Sequence, residues 1–139
     1  MKGLYTLILI FCVHLSYGQV RLGIGSSVIP EQTSFGAQIR GAYQYTQSVA
    51  FSGTFGYYFK KDSNIAIDLD AQFKLIDLNS VTISPFAGAT IRETAGSLGT
   101  GLQAGFFILV PTDGVDIYIE PKAILDNDTA LVISGGLYF

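Results

Sequence analysis

The chain has 139 residues, eight of them basic and eleven acidic, and its formal net charge is −3. This balance, without a basic cluster along the chain, gives no electrostatic footprint for nucleic acid, so nucleic-acid binding is excluded. Hydrophobic residues make up 49% of the chain and charged residues only 14%, against roughly 25% charged in ordinary soluble domains. With so few charges, the surface of the folded chain must either be very apolar or not face water.

The N-terminus has the parts of a secretory signal peptide. Lys2 precedes an apolar run over residues 4–13, and small residues end at Gly18. The run is too short to span a bilayer as a mature helix, and its flanks fit removal after Gly18. We therefore expect residues 1–18 to be a cleaved signal peptide and residues 19–139 to form a single exported domain. A buried N-terminal helix is the alternative.

Removal of this segment would have a chemical consequence. The only cysteine, Cys12, and the only histidine, His14, both lie within it, and the chain contains no tryptophan. The mature domain would then have no disulfide, no thiol chemistry and no histidine for catalysis or metal binding. We expect no enzymatic activity, no cofactor and no metal site.

Turn-forming residues recur at regular intervals after residue 19 and divide the chain into eight segments. Most segments have about ten residues or more, which is long for a soluble strand and is the length that a tilted transmembrane strand needs. The pattern predicts an all-β fold, an eight-stranded antiparallel up-and-down barrel. The predicted strands span residues 20–28, 33–45, 48–60, 65–76, 81–92, 98–110, 115–125 and 129–139.

Alternation of apolar and polar residues is clearest in the fourth and seventh segments. In the fourth, Ile67 and Leu69 lie on one face while Asp68, Asp70 and Ile76 lie on the other. This alternation alone does not decide which face is inside. A soluble lipocalin-like barrel points its apolar face inward, whereas a membrane barrel points it toward lipid.

Residue size separates the two faces in the other segments. Side chains inside an eight-stranded barrel must fill a narrow space, so the small face fits the interior and the bulky face fits lipid. A soluble barrel would need a charged outer face, which this chain does not supply. The small face carries Gly23, Gly25, Ser27, Gly36, Gln38, Ala42, Ala50, Ser52, Thr54, Gly56, Thr82, Ser84, Gly88 and Thr90. The bulky face carries Leu22, Ile24, Phe35, Ile39, Tyr43, Tyr45, Val49, Phe51, Phe55, Tyr57 and Phe59.

Most of the charged side chains in the strands share the inward parity. Five bases and four acids can then pair inside the lumen, and their long side chains would block a pore of this width. The predicted lumen network consists of Arg21, Arg40, Asp68, Asp70, Lys74, Arg92, Asp116, Glu120 and Lys122. Two prolines, Pro85 and Pro121, each remove a ladder hydrogen bond, so a bulge or local weakness is expected at each.

Several predicted strands are rich in glycine, as in RLGIGSSV and SPFAGATIR, and the last segment reads LVISGGLYF. In these features the chain resembles the small eight-stranded outer-membrane β-barrels of Gram-negative bacteria. The OmpX-like barrels and the OmpA transmembrane domain are the nearest types. The resemblance covers residues 20–139 and implies contact with outer-membrane lipid and a monomeric barrel. It also implies that the last strand is an assembly signal read by the outer-membrane barrel insertion machinery. That signal would consist of Leu131, Ile133, Leu137 and Phe139.

We expect a structural or accessory role in the envelope, because members of the resembled family that act as adhesins or receptors carry long outer loops. The loops expected on the outside, near residues 29–32, 61–64, 93–97 and 126–128, are all short. Two alternatives stay open. One is a secreted or periplasmic soluble barrel that binds a small apolar ligand, and the other is a narrow outer-membrane channel.

Two short segments partly match motifs for ligand binding. The segment 99–104 matches G-x-G-x-x-A, but no helix follows it and no βαβ unit surrounds it, so nucleotide binding is not expected. Asp68 and Asp70 are spaced as in a calcium loop, yet the turn glycine and the distal glutamate are missing. These carboxylates are more simply explained as partners for basic side chains in the lumen.

Overall fold

The computed structural model describes residues 3–6, 20–59, 64–94, 96–125 and 129–139. Only residues 3–6 of the predicted signal peptide belong to this part, where they form a short helical turn. The predicted cleavage after Gly18 and the predicted loops at 61–64 and 126–128 lie wholly or mostly outside it. Among the described residues, no helix is long and apolar enough to cross a membrane.

Strands dominate the described chain, as the recurring turn signals predict. A short 3-10 turn at Pro30–Gln32 joins the first two strands, and Gly96, directly before the seventh strand, has a positive φ of 82°. The strands are β1 (Val20–Ile29), β2 (Ser34–Gln44), β3 (Val49–Phe59), β4 (Asn64–Phe73), β5 (Ile76–Leu78), β6 (Val81–Thr94), β7 (Ser97–Val110), β8 (Asp116–Leu125) and β9 (Ala130–Tyr138).

The strands form one closed antiparallel ring. Apart from β4 and β5, each strand pairs with the next strand of the chain, and the ring closes because β1 pairs with β9, from Gly23↔Tyr138 to Val28↔Ile133. Both β4 and the short β5 pair with β6, so together they form one of the eight long strands of the barrel. We call each of these eight long strands a stave. The predicted eight-stranded up-and-down barrel is therefore confirmed. Closure matters because each of the long strands has a partner on both sides and leaves no open edge, whereas the short β5 pairs on one side, with β6.

A bulge separates β4 from β5, opposite Pro85. Gln72 pairs with Phe86 and Ile76 with Ile83, so three residues of this stave face only two of β6. Such a bulge suits a position where proline offers no N–H to the ladder. It also exchanges the two faces of the stave. Ile76, predicted to lie on the inward face, is exposed beside Ile83, while Asp77 is level with the inward Thr82.

Pro121 is accommodated differently. The β7–β8 pairing runs to Gly105↔Lys122 and resumes at Ile108↔Ile119 without a change of register. The β7–β8 ladder is therefore interrupted beside Pro121 without a bulge. On the other side of β8, Pro121 still pairs with Ile133 of β9. Both prolines therefore lie where one ladder of the barrel is locally broken.

The two faces of the barrel differ as the residue sizes predict. The outer face carries large apolar side chains, with Leu22 62% exposed and Leu69 64% exposed. The inner face carries small and polar residues that are mostly buried. Gly88 shows why small residues are needed there, because a Cβ at this position would overlap the Asp70 carboxylate and the backbone of β4. The interior is consequently filled with side chains.

Candidate functional site in the barrel lumen

Five charged side chains meet halfway along the lumen, and we call them the mid-lumen network: Arg40, Asp68, Asp70, Glu120 and Lys122. The Arg40 guanidinium donates to the Glu120 carboxylate. The Lys122 ammonium lies 2.5 Å from Asp68 Oδ2 and 3.6 Å from Glu120 Oε1. Arg40 Nη2 is also 4.0 Å from Asp70 Oδ2. Glu120 is therefore the carboxylate that both cations share.

Neutral side chains complete the surroundings of the network. The Arg40 Nε donates to Thr54 Oγ1 at 3.0 Å, and the Gln103 amide donates to Asp70 Oδ1 at 2.6 Å. The guanidinium of Arg40 also lies 5.3 Å from the ring centre of Phe107 and 5.2 Å from that of Tyr118. Aromatic faces attract a cation at this distance, especially when water is excluded.

A second set of neutral hydrogen bonds runs beside the network. Ser27 and Ser134 share a hydrogen bond of 2.8 Å, and the Ser27 hydroxyl donates to Gln38 Oε1 at 2.7 Å. The Gln38 amide in turn donates to the Tyr118 hydroxyl at 2.7 Å. These bonds tie β1, β2, β8 and β9 together across the seam where the barrel closes.

Apolar side chains cover the network on both sides. At the end of the barrel near the β1–β2 turn, the loop end, the cover consists of Ile29, Tyr58, Ala66, Ile124 and Val132; we call it the loop-end plug. At the end where Val20 and Phe139 lie, the terminus end, the cover consists of Phe86, Phe107, Tyr118 and Tyr138; we call it the terminus-end plug. Within this plug, the ring centres of Phe107, Tyr118 and Tyr138 lie 5.2–5.8 Å apart.

This arrangement buries the charges behind apolar side chains. All five residues of the network are at most 4% exposed. Removing charges from water is unfavourable, and only close pairing with further hydrogen bonds offsets the loss of hydration. The acids and bases of the network are therefore interdependent, because neutralising one leaves its partner buried without a counter-charge.

The other predicted lumen charges lie nearer the ends of the barrel. Arg21 pairs with Asp116 at the terminus end, where their side chains are 38% and 19% exposed. Arg92 lies toward the loop end, with its guanidinium 5.6 Å from the ring centre of Tyr58. The single predicted network is thus divided by depth into a middle group and groups near each end.

Lys74 departs most from the prediction. Its ammonium lies 3.4 Å from Asp77 Oδ2, and the side chains of the two residues are 35% and 59% exposed. The inward parity of Lys74 is as expected, but the residue lies in the bulge at the terminus end and does not reach the mid-lumen network. Parity predicts the face of a residue and not its depth in the barrel.

Gln103 and Tyr118 are lumen partners that the sequence prediction did not single out. Gln103 is 1% exposed and Tyr118 is fully buried. Both share the inward parity of their strands, and this was the signal that could have found them. The segment 99–104, which formally matches a nucleotide-binding motif, lies in β7 and its buried Gln103 binds Asp70.

The expected assembly-signal residues, three in β9 and Phe139 directly after it, share the outer face. Leu131 and Ile133 are each 44% exposed, and Leu137 and Phe139 are exposed as well. The backbone N–H of Phe139 donates to the Leu22 carbonyl at 2.8 Å, which fastens the last residue to β1. The row is therefore part of the apolar surface beside the seam.

No protein-family model and no curated protein matches the chain. Solved structures do match. The N-terminal β-barrel domain of OprF from Pseudomonas aeruginosa is 15% identical, with a TM-score of 0.65 over 86% of this chain and 96% of that one. The outer membrane protein Ail of Yersinia pestis is 12% identical, with a TM-score of 0.62 over 86% of this chain and 97% of that one.

A third match is an enzyme. The outer membrane enzyme PagL is 10% identical, with a TM-score of 0.52 over 86% of this chain and 95% of that one. At these identities the likeness concerns the fold, and the matched proteins differ in what they do. The chain therefore has the fold of the small eight-stranded outer-membrane β-barrels.

Proposed function

We propose that this chain is an integral outer-membrane β-barrel protein with a structural or accessory role in the envelope and a closed lumen. The observation that carries the proposal is the pairing of an apolar outer face with a charged, buried interior. In lipid, a closed barrel satisfies all its backbone groups internally, so only the side chains need to suit their surroundings.

The apolar outer face continues around the whole ring. Contiguous apolar patches on soluble proteins rarely exceed a few hundred square ångströms, whereas a membrane barrel carries an apolar band about 25 Å tall. This contrast disfavours the soluble lipocalin-like alternative, which would bury its apolar residues and expose its charges. Each of the eight staves contributes an exposed large apolar side chain: Leu22, Ile39, Phe55, Leu69, Ile91, Leu102, Ile119 and Ile133.

The packing of the lumen supports a closed barrel against the narrow-channel alternative. An eight-stranded barrel has an interior just wide enough for side chains to fill. Here the mid-lumen network occupies the middle, and an apolar plug lies on either side of it. An ion on this path would have to pass two apolar constrictions and displace paired charges.

A non-enzymatic role is favoured by the residues of the proposed mature domain. Residues 19–139 contain neither histidine nor cysteine, so a hydroxyl or thiol nucleophile would lack the usual imidazole base. The clustered carboxylates Asp68, Asp70 and Glu120 are at most 4% exposed, whereas catalytic groups usually line an open cleft. The match to PagL does not change this expectation, because it concerns the fold.

Membrane insertion is the first test. The full chain, expressed in a Gram-negative host, should fractionate with the outer membrane, require detergent for extraction and migrate faster on a gel when it is not heated. A protein that remained in the aqueous periplasmic or secreted fraction would refute the proposal and favour the soluble barrel.

We further propose that β9 acts as the assembly signal and that the barrel is a monomer contacting lipid around its whole surface. Phe139→Ala should lower the fraction of chain inserted in cells, while the purified variant still refolds in detergent. Phe73→Ala is the matched control, since Phe73 is an exposed aromatic at the same end of the barrel. Equal insertion of the two variants would leave Phe139 only a packing role.

A further inference from the structure

A small cup opens at the terminus end of the lumen, outside the mid-lumen network. Its volume is about 170 Å³. Phe107 and Tyr138 of the terminus-end plug form part of its wall, so the cup is closed toward the middle of the barrel. Polar side chains, among them Gln72 and Ser84, line the rest. None of the predicted activities uses this space.

The charged side chains that line the cup, among the described residues, are both cations. They are Arg21 and Lys74. Their acidic partners, Asp116 and Asp77, form ion pairs with them but are not among the residues that line the cup. The β4–β5 bulge places Lys74 here, and the backbone N–H of Lys74 donates to the Ser48 carbonyl at 2.8 Å, which fixes the bulge to the neighbouring turn.

The ring of Tyr138 contacts one of the two cations. The Arg21 guanidinium lies 5.1 Å from the centre of this ring, and Tyr138 is 2% exposed. The lining of the cup therefore contains two cationic side chains, and charge-assisted hydrogen bonds from such groups favour an acceptor with negative charge.

We propose that the cup is a binding site for a small oxyanion, a carboxylate or phosphate group. Its volume of about 170 Å³ matches roughly five water-sized groups at about 30 Å³ each. This suits an inorganic phosphate ion or a short carboxylate and excludes a drug-sized ligand. The inference goes beyond the proposed envelope role and rests on the barrel geometry, whichever compartment holds the protein.

Nuclear magnetic resonance titration tests the site. The processed chain, folded in a nonionic detergent that brings no anion of its own, is titrated with sodium phosphate and, separately, with sodium acetate at constant ionic strength. Saturable shifts are expected at the backbone amides of Gln72, Ser84 and Tyr138. The amides of Tyr58 and Val132 in the loop-end plug should stay unchanged. Saturation by phosphate alone or acetate alone identifies which oxyanion the cup takes, and the absence of saturation with both overturns the proposal.

Three variants decide whether the cup itself binds the ion. Arg21→Gln and Lys74→Gln should each weaken the affinity roughly tenfold, since each removes a charge-assisted hydrogen bond. Ala50→Leu should abolish binding without a change of charge, because Ala50 lines the cup. Arg92→Gln removes the same charge from the opposite half of the lumen and should bind as the parent does.

The folded state of each variant is verified by its unheated gel mobility before titration, so that loss of binding is not confused with loss of fold. Parent-like affinity in both Arg21→Gln and Lys74→Gln would overturn the proposal. The titration is independent of the membrane fractionation. If the titration shows no binding, the outer-membrane proposal still stands. If the chain does not fractionate with the outer membrane, the proposed oxyanion site still stands.

Discussion

Two groups of ion pairs in the lumen look alike along the sequence and differ in depth. Strand β8 alone supplies one acid to each: Asp116 pairs with Arg21 at the terminus end, and Glu120 pairs with Arg40 in the mid-lumen network. The side chains of Arg40 and Glu120 are at most 1% exposed, whereas those of Lys74 and Asp77 are 35% and 59% exposed. Two repeats of the alternating pattern, from Asp116 to Glu120, therefore separate a partly exposed ion pair from a buried one.

This difference in depth governs what each charge contributes to stability. Exposed ion pairs typically contribute about 0–1 kcal/mol, because water screens them and the long side chains lose entropy. Breaking a buried pair by removing one partner typically destabilises a protein by about 3–5 kcal/mol, because the other charge is left buried alone. The mid-lumen network should thus be the part of the barrel most sensitive to single substitutions.

The largest effect is expected for Glu120→Gln. This change leaves Arg40 and Lys122 without their shared carboxylate, and it should lower the free energy of unfolding by about 3–5 kcal/mol. Urea unfolding of the barrel folded in detergent or lipid measures the difference. Asp77→Asn is the matched control at the terminus end and should change stability by less than about 1 kcal/mol. Similar losses from the two changes would mean that the network is hydrated.

A smaller effect is expected for Gly88→Ala. The added Cβ would overlap the Asp70 carboxylate and the β4 backbone, and overpacking of this kind costs about 1–3 kcal/mol. Gly53→Ala is the control, because Gly53 lies on the outer face and a Cβ there would come no closer than 3.6 Å to Leu69. The same unfolding assay applies, and an Ala at position 88 that leaves stability unchanged would argue against the tight fit between β4 and β6.

The smallest effect is expected for Asp116→Asn, together with a distinctive dependence on salt. Its pair with Arg21 is partly exposed, so the loss should be about 1 kcal/mol or less and should shrink as salt rises. The Debye length falls to about 3 Å at 1 M salt. The loss caused by Glu120→Gln should persist under the same conditions, because buried pairs are screened much less. A loss at Asp116 that is as insensitive to salt as the loss at Glu120 would remove the distinction between the two regions.

The fold was predictable from the sequence because residue size and parity repeat in every stave. The positions of Gly36 and Ser52 on the inner face, and of Phe55 and Ile39 on the outer one, follow from alternation alone. The β4–β5 bulge was expected somewhere near Pro85, but its exchange of faces was not, so Ile76 was assigned to the wrong face. A single extra residue has this consequence because the side-chain period of a strand is two.

The pairing of the lumen charges was not predictable in the same way. Glu120 meets Arg40 although the two lie on strands β8 and β2, which are not neighbours. Which charges meet depends on how far each strand is shifted along its neighbours around the ring. The sequence shows which face a residue lies on, but it does not show these shifts. Gln103 and Tyr118 were missed for the same reason, because their importance comes from what lies across the lumen.

Ion flux tests the central claim most directly: a barrel that spans the membrane with its lumen closed by the mid-lumen network and its plugs. The folded chain would be reconstituted into a planar lipid bilayer, with insertion verified by the mobility of unheated protein recovered from the same lipid. We predict no stepwise conductance above that of the lipid alone. Reproducible steps that scale with the amount of inserted barrel would contradict the account and establish the chain as a channel.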